Sequence, residues 1–170
     1  MTRSAVLVEV PPAEPVVGEW RRRHTYDAPL GIPAHVTLLF PFIPVEQLSE
    51  SDESRLAALI AAESAFDASF PRIARWPGVL YLEPRPARPF LALTEAIAAA
   101  WPEHPPYEGA HDEVVPHLTV AESEDESLRA RIAKDVEPRL PVELRVREAQ
   151  LYFEDGAGRW HERRRFPLGE

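Results

Sequence analysis

Two tripeptides of one form, His35-Val36-Thr37 and His117-Leu118-Thr119, are separated by close to half of the chain's 170 residues. Each follows a proline by one or two residues, Pro33 and Pro116, and each leads an apolar run that reads as a β-strand. Side chains alternate between the faces of a strand, so His35 and Thr37 point one way while Val36 and Leu38 point the other. His117 and Thr119 are opposed in the same manner to Leu118 and Val120. Each strand therefore offers an imidazole and a hydroxyl on one face and an apolar pair for burial on the other. Two such polar faces across a cleft suit hydrolysis or transfer at a phosphodiester. A neutral imidazole accepts a proton from water or a sugar hydroxyl, and a protonated one gives a proton to the leaving oxygen. Histidine does both near neutrality because its ordinary pKa is about 6.5. Threonine hydroxyls and nearby backbone N–H groups donate to non-bridging oxygens where charge develops. No metal, cofactor or covalent nucleophile is needed. A single His-x-Thr arises often by chance, whereas two in corresponding positions point to function.

Tyr81, Arg145 and Arg147 are the candidate substrate contacts beyond the tripeptides. Tyr81 lies between Leu80 and Leu82, so it either faces the cleft and stacks on a base or is a partly buried tyrosine with a wet hydroxyl. Arg145 and Arg147 alternate with Leu144 and Val146, which leaves open a phosphate-binding row or a solvated strand face. Arg21, Arg22 and Arg23 read as a solvated helix face, and Arg85 and Arg88 sit undecided in a proline-rich turn. His24, His104, His111 and His161 have no matching partner. A metal site of His111, Asp112 and His117 is a weak alternative, because an extended strand would hold its two histidines about 20 Å apart. The acidic stretch Glu122 to Glu126 reads as a capping and solubility feature.

Composition narrows the field. With 45% hydrophobic and 28% charged residues the chain is that of a globular protein, and its length fits one domain or two small lobes sharing a core. No apolar run approaches the roughly 18 residues of a membrane span, and Met1-Thr2-Arg3-Ser4-Ala5 leads into too short a run for a secretory signal. There is no cysteine, which removes disulfides, thiolate nucleophiles and zinc–cysteine sites and fits a cytoplasmic protein. The net charge of −9 opposes a long duplex or large folded RNA, whose binding rests on basic surface. A small phosphorylated molecule or one end of an RNA is the expected partner, and a monomer the default. Lys134 is the only lysine among many arginines, which reads as a coding bias.

The tripeptides need elements to hold them. Ala5 to Val10 reads as a buried strand ended by Pro11-Pro12, Trp20 to Gly31 as a short helix or loop, and Ala34 to Phe42 as the strand of the first tripeptide. Val45 to Ala65 has helical period, with Ser51 or Asp52 as N-cap. Phe66 to Trp76 and Val79 to Glu83 read as strands around a Pro77-Gly78 turn, and Phe90 to Trp101 as a second helix. An irregular loop from Glu103 to Glu113 precedes the strand Val114 to Ala121 of the second tripeptide. Ser123 to Val136 reads as a third helix, and Val142 to Phe153 with Arg159 to Phe166 as strands joined by Asp155-Gly156-Ala157-Gly158. The mixture predicts an α+β fold with mainly antiparallel sheet, doubled into two lobes that face a central cleft with helices outside.

With these motifs in place, the chain resembles the two-histidine phosphoesterase superfamily, in particular the bacterial proteins grouped as 2′-5′ RNA ligase-like. The likeness extends from the strand at Ala5 to the last strand near Phe166, and Gly31 to Phe42, Gly78 to Pro84 and Asp112 to Ala121 carry most of it. It implies one domain over residues 1–170, built of two βα lobes about a pseudo-twofold, with cyclic phosphodiesterase or RNA-end ligase chemistry and no metal. It further implies that His35 and His117 are the acid–base pair and Thr37 and Thr119 the phosphate-binding hydroxyls. One position departs: active members often carry an arginine where this chain has Glu122. That weakens RNA ligation in particular, and motivates the alternative of a nucleotide-binding module without turnover.

Overall fold

The computed structural model describes residues 2–111 and 113–170. Met1 and Asp112, which entered the readings of the N-terminus and of the metal alternative, lie outside the described residues. β1 (Ser4–Glu9) carries the aliphatic run Ala5 to Val8, which is buried on both faces, as a central strand must be. It lies between β2 (His35–Leu39) and β8 (Glu148–Glu154), and β9 (Trp160–Pro167) completes an antiparallel sheet in the order β2-β1-β8-β9. A second antiparallel sheet joins β4 (Ile73–Trp76), β5 (Val79–Leu82) and β6 (Leu118–Glu122) in that order. β3 (Phe66–Phe70) and β7 (Val142–Val146) form a separate antiparallel pair. The helices are α1 (Glu14–His24), α2 (Glu50–Ala61), α3 (Arg88–Ala100) and α4 (Glu126–Val136).

The doubling expected from the tripeptides is explicit in this order. The succession β1-α1-β2-α2-β3-β4 is repeated as β5-α3-β6-α4-β7-β8, and the sheet order β2-β1-β8 is matched by β6-β5-β4. β3 and β7, equivalent in the two halves, pair with one another. The helices are exchanged: α1 packs on β6 and α3 on β2. One buried apolar cluster runs through all of this, from Val6 on β1 through Phe90 on α3 to Val146 on β7. Among the described residues no helix is long and apolar enough to cross a membrane.

Several boundaries depart from the sequence reading. α1 begins at Glu14, not near Trp20, because Pro15 sits in its first turn, where a missing N–H does no harm. α2 is capped by Ser49, not by Ser51 or Asp52. The Ser49 hydroxyl accepts from the Asp52 N–H at 3.1 Å, and Asp52 Oδ2 accepts from the Ser49 N–H at 3.0 Å. Phe66 to Trp76 is two strands in different sheets, separated by Pro71-Arg72, and Val142 to Phe153 is likewise divided at Arg147. The expected hairpin at Asp155 to Gly158 joins β8 to β9, with Gly158 at φ +80°.

Candidate active site

β2 and β6 belong to different sheets yet approach one another, and His35, Thr37, His117 and Thr119 all line one cavity of about 350 Å³. The alternation that places them is that of pleated strands. Val36, Leu38, Leu118 and Val120 are fully buried, while His35, Thr37 and Thr119 are half-buried on the opposite faces. His117 stands one residue ahead of β6, which begins later than the expected Val114.

The two imidazoles are held alike. His35 Nδ1 lies 2.8 Å from the Pro33 carbonyl and His117 Nδ1 lies 2.7 Å from the Val115 carbonyl, each two residues back along the chain. A carbonyl only accepts, so each Nδ1 carries a proton and each neutral ring leaves Nε2 as a bare acceptor. Burial lowers the pKa of both rings. That of His35 falls to about 4, through desolvation and then the nearby Arg21 guanidinium, against which Asp27 pulls upward. That of His117 falls through desolvation, offset in part by its bond to Val115. Asp27 Oδ2 lies 3.8 Å from His35 Nε2, close enough to favour an imidazolium there.

Arg21 organises this side of the cleft. Its side chain is 1% exposed and its guanidinium donates to the Thr119 carbonyl at 2.6 Å and to Asp27 Oδ1 at 3.1 Å. A longer contact of 3.5 Å reaches the Pro33 carbonyl that also anchors His35. One side chain on α1 thus spans both His-x-Thr motifs. This corrects the reading of Arg21 as part of a solvated face; only Arg22 and Arg23 are exposed. The signal was available, since Arg21 falls four residues after Val17 on the buried stripe of α1. On the opposite helix, the Thr94 hydroxyl donates to the Leu38 carbonyl of β2 at 2.7 Å.

Tyr107 and Asp27 were missed altogether. Tyr107 and Glu108 adopt left-handed backbone at φ 52° and 56°, a conformation of order 1–3 kcal/mol for each non-glycine residue. That turn brings the Tyr107 ring into the cleft, where its hydroxyl bonds with Thr37 and burial raises its pKa. No sequence pattern foretells two left-handed residues of these types. Arg3 also lines the cavity, but Glu154 grips it at 2.7 and 2.9 Å beside the Phe40 and Trp160 rings.

The other candidates divide. Tyr81 is buried and stacks on Trp76 at 4.0 Å, with its edge toward His117 at 5.8 Å. It supports the ring that lines the cleft and does not line it. Arg145 and Arg147 are exposed and line other cavities on the β3–β7 side, with Arg145 3.4 Å from Asp67. β7 turns Arg145 away from the cleft because its apolar residues Val142 and Val146 face the core, and Arg147 lies just past the end of that strand. Arg85 shares the cavity of Arg145, and Arg88 pairs with Glu95 at 2.7 Å. Glu122 lines the histidine cavity instead of capping α4, whose cap is Asp125. Desolvation and the Asp27 charge raise its pKa. His111 and His117 line a common cavity, but among the described residues no three His, Cys, Asp or Glu side chains converge as metal ligands.

The profile of the 2′-5′ RNA ligase superfamily matches residues 8–158. No curated protein sequence matches the chain. Among solved structures, Escherichia coli LigT in complex with 3′-AMP is similar at 20% identity and TM-score 0.65, covering 99% of both chains. A protein described as a phosphoesterase is similar at 19% identity and TM-score 0.62 over 100% of both. The Thermus thermophilus protein TT0787 is similar at 25% identity and TM-score 0.62 over 99% of both. LigT has also been solved with ATP and with NADP+.

Proposed function

This chain belongs to the 2′-5′ RNA ligase superfamily, and from that premise we propose that it is a metal-independent phosphodiester hydrolase acting on a small nucleotide or RNA end. A 2′,3′-cyclic phosphate is the expected substrate, and residues 1–170 serve as one two-lobed domain. The observation that carries the reading is the convergence of two His-x-Thr pairs, with identically anchored imidazoles, on one cavity. The nucleotides bound by LigT support an occupant of that size.

His35 is the base and His117 the acid. A water proton passes to His35 Nε2 as the water oxygen bonds to phosphorus. The bond from phosphorus to one ribose oxygen breaks, and His117 Nε2–H gives that oxygen its proton. One water is consumed and a phosphomonoester remains. Asp27 favours the His35 imidazolium formed in this step, whereas no carboxylate lies within 4 Å of His117 among the described residues. The Thr37 and Thr119 hydroxyls donate to the non-bridging oxygens. Exchange with solvent resets the two protons.

The pH profile has a definite sign. In the free enzyme the base must be neutral, which holds above about pH 4 for His35, and the acid must be protonated. Protonation of His117 is lost below the ordinary histidine value, because its pKa is lowered. The bell in kcat/KM is therefore expected to peak on the acidic side of pH 6.5. A maximum above pH 7 would contradict these assignments.

The primary test is hydrolysis of a panel of 2′,3′-cyclic nucleotides in excess EDTA. Turnover to phosphomonoester is expected, and loss of activity on chelation would overturn the metal-free scheme. Glu122 in the cleft favours a second reading, a nucleotide-binding module without turnover. Recovery of bound nucleotide unchanged after long incubation would select it.

A further inference from the structure

The strand that carries the second motif does not run straight through its sheet. Tyr81 on β5 stands opposite Thr119, and Leu80 stands opposite Ala121, so Val120 is one residue more than the partner strand supplies. Such a bulge shifts the faces of every residue beyond it. On a regular strand Glu122, three positions after Thr119, would point to the other face. The extra residue returns it to the face of Thr119, and both line the cavity of the two histidines.

The charges around that cavity leave Glu122 in excess. The buried Arg21 guanidinium is taken up by Asp27 at 3.1 Å and by the Thr119 carbonyl. Arg3 is taken up by Glu154 at 2.7 Å. Both imidazoles of the motifs have lowered pKa values and are neutral at neutrality. The adjoining cavity, which shares Tyr107 and His117, adds His111 and Glu113, so any charge on that imidazole is matched by a carboxylate lining the same space. Among the described residues no arginine, lysine or histidine is ion-paired with Glu122, and Arg21 reaches it only at longer range. Burial and the Asp27 charge outweigh that pull and raise its pKa, as befits a carboxylate without a partner.

We propose that Glu122 sets the charge selectivity of the cleft: it admits the singly charged phosphodiester and disfavours the doubly charged phosphomonoester that hydrolysis leaves. The inference rests on the hydrolase reading and adds a residue that tells substrate from product. A diester has one ionisable oxygen and holds one negative charge. A monoester loses a second proton at a pKa of about 6 and carries nearly two charges at neutrality. The water added in the reaction supplies that second acidic oxygen, whose proton is lost to solvent. Coulomb energy scales with the charge on the ligand, so a repulsion that weakens the monoanion about threefold weakens the dianion about tenfold. Cutting the ester thereby loosens the hold on what remains in the cleft.

The test needs no turnover. Calorimetry gives Kd for a deoxynucleoside 3′-phosphate and for its methylphosphonate analogue, a singly charged group of nearly the same shape, in wild type and Glu122→Gln. At about pH 7.5, where the phosphate is doubly charged, Glu122→Gln is expected to tighten the methylphosphonate about threefold and the phosphate about tenfold. At about pH 5 both ligands are singly charged, and the two are expected to respond alike. An equal response at the higher pH, or none, would show that Glu122 acts through shape or not at all, and overturns the proposal. An excess that persists at the lower pH overturns it too, since the second charge on the ligand is then not the cause. If the excess is found but wild type hydrolyses no diester, the selectivity stands and the hydrolase reading fails. Turnover without the excess does the reverse, and failure of both proteins to bind either ligand also overturns the selectivity.

Discussion

Alanine at either His35 or His117 is expected to lower kcat on a 2′,3′-cyclic nucleotide by about 10²–10⁴-fold. The proposed scheme divides the labour between two rings that are otherwise held alike. Each Nδ1 is committed to a backbone carbonyl, so each ring has one nitrogen for chemistry. Removing the base leaves water to deprotonate itself; removing the acid leaves an alkoxide to depart unprotonated. A factor of 10³ corresponds to about 4 kcal/mol of barrier. The proposed scheme has both rings act in one step, so the double variant is expected to be hardly slower than either single one. Steady-state rates for the three variants check this, with circular dichroism to confirm that the fold persists. Either single variant retaining activity within a few-fold of wild type would remove its histidine from the mechanism.

Arg21→Ala is expected to destabilise the protein by about 3 kcal/mol, the low end for breaking a buried ion pair because Asp27 is 27% exposed. The substitution strands the Thr119 carbonyl, which accepts its 2.6 Å bond, and leaves Asp27 beside His35 without its counter-charge. For a chain of this length the loss corresponds to roughly 10 °C in Tm. Arg21→Lys is expected to recover only part of it, since an ammonium lacks the planar fork that serves several acceptors together. Thermal melts of the two variants decide the point. A Tm within about 2 °C of wild type for Arg21→Ala would show that the buried guanidinium is not what joins the motifs.

Much of this site was legible in the residues alone. The tripeptides, their faces and their separation predicted both the lobed fold and the four side chains on one cavity, because period-two alternation survives any detail of packing. What escaped has physical causes. Arg21 was hidden by its charged neighbours Arg22 and Arg23, although its spacing from Val17 placed it inside. The divisions at Arg147 and Pro71 were invisible because a strand changing sheets keeps its composition. Tyr107 depends on a left-handed turn made by residues with no preference for it. Arg145 and Arg147 alternated as a cleft row would, but alternation names two faces and does not say which one the core takes.

The exchange of α1 and α3 between the halves has a consequence for how the molecule comes apart. β2 is covered by a helix from the second half and β6 by one from the first, so neither repeat contains the roof of its own motif. Opening one half strips cover from the other, which ties both into a single cooperative unit. Partial unfolding therefore cannot leave one histidine poised without its counterpart: the pair is assembled together and lost together.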